Sequence, residues 1–452
     1  MTERTGTLDS FAREQARLEP APRWLGSLRE ASLERFRTLG FPTPRQEEWR
    51  FTNVAPIARL EFAPADPGLA DGARVVLPSW ERAEAVCVNG RFVEALARRG
   101  GLPAGVRIES LARLLANEPA ALESRVGSVA DAREHPFTAL NTAFLADGVF
   151  VYVPKGVKVE LPVRIAFATV APEAPDSLAA ASPAVTSPAA PVTHPRVLVV
   201  VEEGASVSLI EDYEAASPGQ GLANAVTEIL LGPGASAEHT SVLEGSTGGF
   251  HVGTVYVRQA AASRFTARTF ALGGRLVRRD VRVVFAGEEA ESSLDGLYVV
   301  TGTEHVDHHT LVDHAVPHCT SRELYKGVVG GESRAVWNGA VVIRPDAQKS
   351  DAAQSNMNLL LSADATVNTK PELQIFADDV KCSHGATVGQ LDDDQLFYLR
   401  ARGIGEASAR ALLTQAFARE IVERVSHDAL RADLDARVAR RMEAVANVGG
   451  AQ

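Results

Sequence analysis

Cys382 and His384 stand two residues apart in the stretch Val380-Lys-Cys-Ser-His-Gly-Ala-Thr-Val-Gly389. On an extended backbone, residues i and i+2 project from the same face, which sets a thiol beside an imidazole. That pairing suits metal or sulfur chemistry, although two ligands do not complete a metal site. The stretch ends a long β-rich region. An acidic helix start follows it, Asp392-Asp393-Asp394-Gln395-Leu396-Phe397-Tyr398, whose carboxylates suit a helix N-terminus.

The densest titratable cluster lies upstream, with His305, Asp307, His308, His309, Asp313, His314, His318 and Cys319 within 15 residues. Read as strand with turns, it divides by parity. Asp307, His309 and Asp313 face one way, whereas His308, His314 and His318 face the other. No single strand offers all of them to one metal, so polar ladders in or along a solenoid are the expected role. Nucleophilic catalysis has little support, because no Gly-x-Ser-x-Gly elbow or papain-like cysteine context is present. G-x-x-x-x-G-K-[ST] is absent too, so any ATP chemistry must come from a partner. Residues 327–331 read as a solenoid turn, and Asp378-Asp379 as a solvated one.

The elements that position these residues are legible in outline. At 452 residues the chain needs two or three structural regions. A net charge of −11 without Lys/Arg blocks argues against nucleic acid or anionic membranes as partners. Three scattered cysteines, Cys87, Cys319 and Cys382, suit a reducing cytosol better than a disulfide framework. No secretion signal follows Met1, and no apolar run nears the ~18 residues that span a bilayer. A cytoplasmic protein is expected.

Leu25, Leu28, Phe36 and Leu39 mark a helix ended by Gly40 and Pro42. Trp49 and Phe51 are expected to pack on the next region. Residues 75–77 and 85–88 read as strands, the second turning at Asn89-Gly90, and residues 110–126 as a helix. From about residue 140, strand-like runs recur at 149–153, 197–201, 229–231, 281–285 and 341–343. Similar turns follow them, with Ala205, Ala235, Ala290 and Ala365 at rough multiples of ~25–30 residues, the size of a solenoid coil. A parallel β-helix is favoured over a β-sandwich. Residues 171–195, rich in Ala, Pro and Ser, read as an inserted loop. The end returns to helices, the second carrying Leu413, Ala416, Phe417, Ile421 and Val425, the third Leu430, Leu434, Val438, Met442 and Val445. This module is expected to cap the solenoid or dock a partner.

From His309 onward the chain resembles the core shared by the SufB/SufD family of bacterial iron–sulfur cluster assembly. The resemblance rests on Asp307-x-His309-Thr310, Asp313-His314, Cys319-Thr-Ser321, Tyr325-Lys326-Gly327, Gln354-x-Asn356, Lys370-Pro-Glu-Leu-Gln-Ile375, His384-Gly-Ala-Thr387 and Leu396-Phe-Tyr-Leu-Arg-Ala-Arg-Gly-Ile404. Pro44-Arg-Gln-Glu-Glu-Trp-Arg-Phe-Thr52 and Lys381-Cys-Ser-His-Gly385 resemble the SufD side of the family more than the SufB side. The density of histidine at 305–309 departs from the pattern.

The resemblance implies a mainly β fold, a right-handed parallel β-helix (136–388) between an N-terminal mostly helical region with some strand (1–135) and a C-terminal helical domain (389–452). It implies a non-catalytic scaffold in a complex with SufB and the ATPase SufC. A transient iron–sulfur cluster would form at the SufB interface, with His384 and Cys382 as candidate ligands and Asp307, His309 and His314 as a secondary polar cluster. SufC would dock on the C-terminal domain, where Phe397, Tyr398 and Phe417 are candidates. A homodimer is compatible with the isolated chain. A flavin is compatible too, but carries no signature in the sequence. Competing readings are a purely structural solenoid, which predicts open-ended filaments, and a polysaccharide-active enzyme, which needs a carboxylate-rich cleft.

Overall fold

A computed structural model describes residues 11, 14–60, 62–66, 68, 78–170, 190–214, 221–245 and 248–449. From Val149–Val153 onward, β-branched runs separated by tight turns wind into two parallel sheets, successive strands passing mostly from one sheet to the other. One sheet stacks Val149–Val153, Arg196–Val201, Leu222–Leu231, Phe250–Gln259, Leu276–Phe285, His305–His314, Arg334–Ile343 and Thr366–Ile375. The other stacks Val163–Ala168, Ser206–Glu214, Ser236–Glu244, Arg264–Ala271, Glu291–Val300, Thr320–Val329, Asp351–Leu360 and Lys381–Gly389. Every pairing among these strands is parallel, which identifies a β-helix and excludes a sandwich.

Ser206 pairs with Ser236, Ser236 with Arg264, and Arg264 with Glu291. Ala205, Ala235 and Ala290 therefore occupy one position of the turn before this sheet's strands, with Ser263 in that position between Ala235 and Ala290. Ala365 does not share it, because Thr366 pairs with Arg334 in the opposite sheet. Each coil carries similar turn chemistry at both corners, and that similarity conceals which sheet a turn belongs to. Gly327 is likewise no turn residue: it lies within Thr320–Val329, where a Cβ would come 2.1 Å from Tyr298 Cε2.

The solenoid interior holds one continuous apolar core, from Val149 and Val197 through Val281 and Val312 to Ile343. At its start, Ala83–Val88 extends the second sheet and hairpins onto Arg91–Phe92 through Asn89 and Gly90, at φ 50° and 78°. The expected helix over 110–126 is two short ones, Leu111–Asn117 and Ala120–Glu123, parted at Pro119. Residues 75–77 lie outside the described residues, as does most of the expected loop over 171–195. Its end, Ala190–Thr193, is a strand paired with Phe62–Pro64.

The helix Arg23–Leu39 packs on Pro136–Ala143, burying Phe36 and Phe137 with Trp49. Trp49 docks as expected, its ring 3.8 Å from the Arg278 guanidinium. Phe51 instead stays exposed, with Arg50 beside it.

The C-terminal helices do not cap the solenoid. Glu406–Val422 and Asp428–Gly449 lie along the outer face of the second sheet, where Val242, Phe270 and Leu297 form a registered apolar row. Ala418, Ile421, Leu434, Val438 and Met442 cover that row. Leu430, Leu434, Val438, Met442 and Val445 are buried as their spacing predicts, whereas the buried face of the preceding helix runs through Thr414, Ala418, Ile421 and Val422, leaving Ala416 exposed. Arg437, nearly buried, pins the last helix to Asp212 at 3.0 Å. Among the described residues no helix is long and apolar enough to cross a membrane.

Candidate functional site

Because the helices lie on the side of the solenoid, its last coil is bare. Among the described strands, Lys381–Gly389 pairs only with Asp351–Leu360, and Thr366–Ile375 only with Arg334–Ile343. Both therefore present a free edge. Most of their residues are half-buried or exposed, unlike those of the coils beneath.

Cys382 and His384 lie on this coil. Cys382 pairs with Ala352 and His384 with Gln354, both inward-facing and buried. Paired residues of neighbouring strands share a face, so the thiol and the imidazole continue the inner row to its open end. Cys382 packs half-buried on the core beneath, and burial raises its thiol above the ordinary value. His384 is exposed. Among the described residues no group of three or more His, Cys, Asp or Glu side chains could hold a metal ion. Cys382 and His384 alone do not make up a metal site.

Beneath His384 the inner row is polar. Gln354 Nε2 donates to Glu323 Oε1 at 3.1 Å, and Thr310 Oγ1, from the opposite sheet, donates to Glu323 Oε2 at 2.5 Å. Burial pushes the Glu323 carboxyl up to about 7, against the pull of these two bonds. Tyr298 O–H donates to Asn358 Oδ1, and Asn356 Nδ2 donates back to Tyr298 at 3.1 Å. Glu323 escaped the sequence reading, and Gln354 entered it only within a family motif. Their signal is a pair of polar residues at inward positions one coil apart, invisible until the register is known.

The histidine cluster splits as its parity predicts. Outward, Asp307 Oδ2 accepts from Arg278 Nη1 at 2.8 Å and Thr52 Oγ1 at 2.6 Å, while His309 Nε2 lies 3.0 Å from Oδ1. Burial alone would raise the Asp307 carboxyl; His309 and Arg278 outweigh it and hold it far below the usual carboxylate range. Inward, His314 lies between Ser321 and Ser350 and His308 between Tyr298 and Tyr325, burial lowering both imidazoles to about 4. The buried Cys319 thiol lies against the Gly287 and Pro317 carbonyls. Asp307, His309 and His314 are thus sealed in the body of the fold, away from Cys382 and His384.

The three docking candidates also separate. Phe397 and Tyr398, on the helix Asp393–Ala401, are 73% and 58% exposed. Phe417 turns toward the solenoid, its ring 4.4 Å from Lys326 Nζ, and is only partly accessible. Phe417 is a packing residue, because its position on the helix faces the sheet.

Comparison with known proteins decides the lineage. Residues 184–417 match the family model for the SUF system FeS cluster assembly SufBD core domain, and residues 1–165 match that for the SufBD protein N-terminal region. The chain belongs to the SufBD family. It is 33% identical to an iron–sulfur cluster assembly SufBD family protein of Synechocystis over 88% of this chain and 86% of that one. It is 31% identical to the chloroplastic protein ABCI7 of Arabidopsis thaliana over 90% and 84%, and 28% identical to the iron–sulfur cluster assembly protein SufD of Escherichia coli over 91% of both. SufBD family membership brings a part in iron–sulfur cluster assembly within the SUF system.

Proposed function

We propose that this chain is a non-catalytic scaffold subunit that pairs, through its bare last coil, with a SufB-type partner and builds a nascent cluster at the junction. The observation that carries this reading is the position of Cys382 and His384 at the open mouth of the solenoid. Two donors on an uncovered edge need a second chain to complete the sphere, and two free parallel edges are ready to receive its strands. A neutral imidazole is a borderline ligand for iron and exchanges more readily than a thiolate, which suits a site that must give up its product. Cytoplasmic residence agrees with this reading.

ATP hydrolysis would come from a SufC-type partner on the C-terminal helices. Phe397 and Tyr398 offer the exposed aromatic anchors for it.

Amide hydrogen exchange on the chain co-expressed with SufB and SufC tests the pairing. A discrete complex with residues 366–389 protected relative to the isolated chain is expected. A complex that leaves those residues unprotected, or failure to co-purify, would refute it.

A further inference from the structure

Gln354 is 4% exposed, yet its Oε1 has no hydrogen-bond partner. A buried amide oxygen left bare is costly, and native structures seldom tolerate one. The cause lies below it. Above about pH 7 the Glu323 carboxyl is mostly ionised and only accepts, and its two oxygens are taken by Thr310 Oγ1 and Gln354 Nε2. The amide accordingly turns its NH₂ toward Glu323 and leaves its carbonyl oxygen bare. The missing side chain of Gly339 leaves the space that the Trp337 ring and the Gln354 amide fill: a Cβ there would meet them at 2.4 and 2.9 Å. The residue in register one coil above is His384.

We infer that Gln354 is a positioning residue for His384, its Oε1 accepting an imidazole N–H so that the other ring nitrogen keeps its lone pair facing out of the solenoid mouth. Thr310 and Gln354 both donate to Glu323, and His384 then donates to Gln354, so that the carboxylate fixes the amide and the amide fixes the ring. The effect is to select one His384 tautomer before any metal arrives, the task that a hydrogen-bonded partner performs for ligating histidines generally. This rests on His384 being an exchangeable ligand, but the hydrogen bond would form within this chain alone and can be read without a cluster.

The test is ¹⁵N NMR of the full-length chain labelled at histidine, at pH 8, with His384→Gln identifying the His384 signals. The ring ¹⁵N shifts are expected to report a strong bias to one tautomer. Gln354→Met is expected to return His384 to the mixture shown by a free imidazole. Should that variant fold poorly because Glu323 loses a partner, the double variant Glu323→Leu/Gln354→Met removes both polar groups and is expected to lose the bias equally. A free-imidazole mixture in the native chain would overturn the inference, as would a bias that survives in these variants. Iron loading of the SufB complex tests the scaffold reading separately. A bias dependent on Gln354, alongside loading indifferent to His384→Ala, would keep the hydrogen bond and reject the ligand.

Discussion

Thr52 Oγ1 donates to Asp307 Oδ2 at 2.6 Å across 255 residues of sequence, fastening the segment after Trp49 to the outer face of the first sheet. Arg278 completes the clasp from beneath, held between Asp307 and the Trp49 ring. Asp307→Ala would take the shared acceptor from Arg278, His309 and Thr52 while leaving Arg278 its buried pair with Asp280, at a cost of about 3 kcal/mol. Thr52→Val, which removes the hydroxyl's bonds to Asp307 and to His305 Nε2, is expected to cost about 1–2 kcal/mol. Urea unfolding of the two variants checks the order; equal costs would contradict it.

Glu323 gives stability a pH dependence of predictable sign. Its folded-state value, about 7, lies above the ordinary carboxylate value of 4.5. The native state therefore holds this proton more tightly than the unfolded chain. The stability it confers is complete below about pH 4.5 and is lost as pH rises through 7. Glu323→Gln removes that loss, so it should stabilise the chain by about 2–3 kcal/mol at pH 8 and by little at pH 5. Thermal unfolding at the two pH values measures the difference; equal shifts would contradict the prediction.

Gly327 makes room for the Tyr298 ring on the neighbouring strand. A methyl group there would meet Tyr298 Cε2 at 2.1 Å and Asn358 Oδ1 at 2.5 Å. Gly327→Ala is expected to cost about 3 kcal/mol through overpacking. Tyr298→Val should recover part of it, a coupling that a double-mutant cycle reads directly.

The proposed docking surface is separable from the fold. Phe397→Asp and Tyr398→Asp remove exposed side chains and should change stability by less than about 0.5 kcal/mol, while abolishing capture of SufC. Phe417→Ala should do the reverse, because its ring packs under Lys326. Unfolding curves and a pull-down with SufC distinguish these patterns.

The solenoid was legible because its strands are runs of β-branched residues with turns at a regular spacing, and the parity of the His305–His314 strand followed from the pleat alone. Three things were not legible. Ala365 resembled Ala205 although it sits in the opposite sheet, since a local turn motif carries no long-range register. The place of the C-terminal helices depended on the row Val242, Phe270 and Leu297, whose members are 27–28 residues apart and become neighbours only once strands pair. Buried charge was hidden as well. Arg164 lies between Glu84 and Asp212 at outward positions, and Glu211 meets Arg279 at inward positions of their strands, between core residues. Cys382 and His384 were visible as a pair from spacing, but Gln354 and Glu323 beneath them needed the coil register.

The measurement that bears most directly on the central claim is the iron and sulfide content of the complex purified anaerobically after co-expression with SufB and SufC, comparing the native chain with His384→Ala. Intact assembly with collapsed cluster loading in the variant is the expected result. Unchanged loading in an intact complex would contradict it and leave this chain as an architectural partner alone.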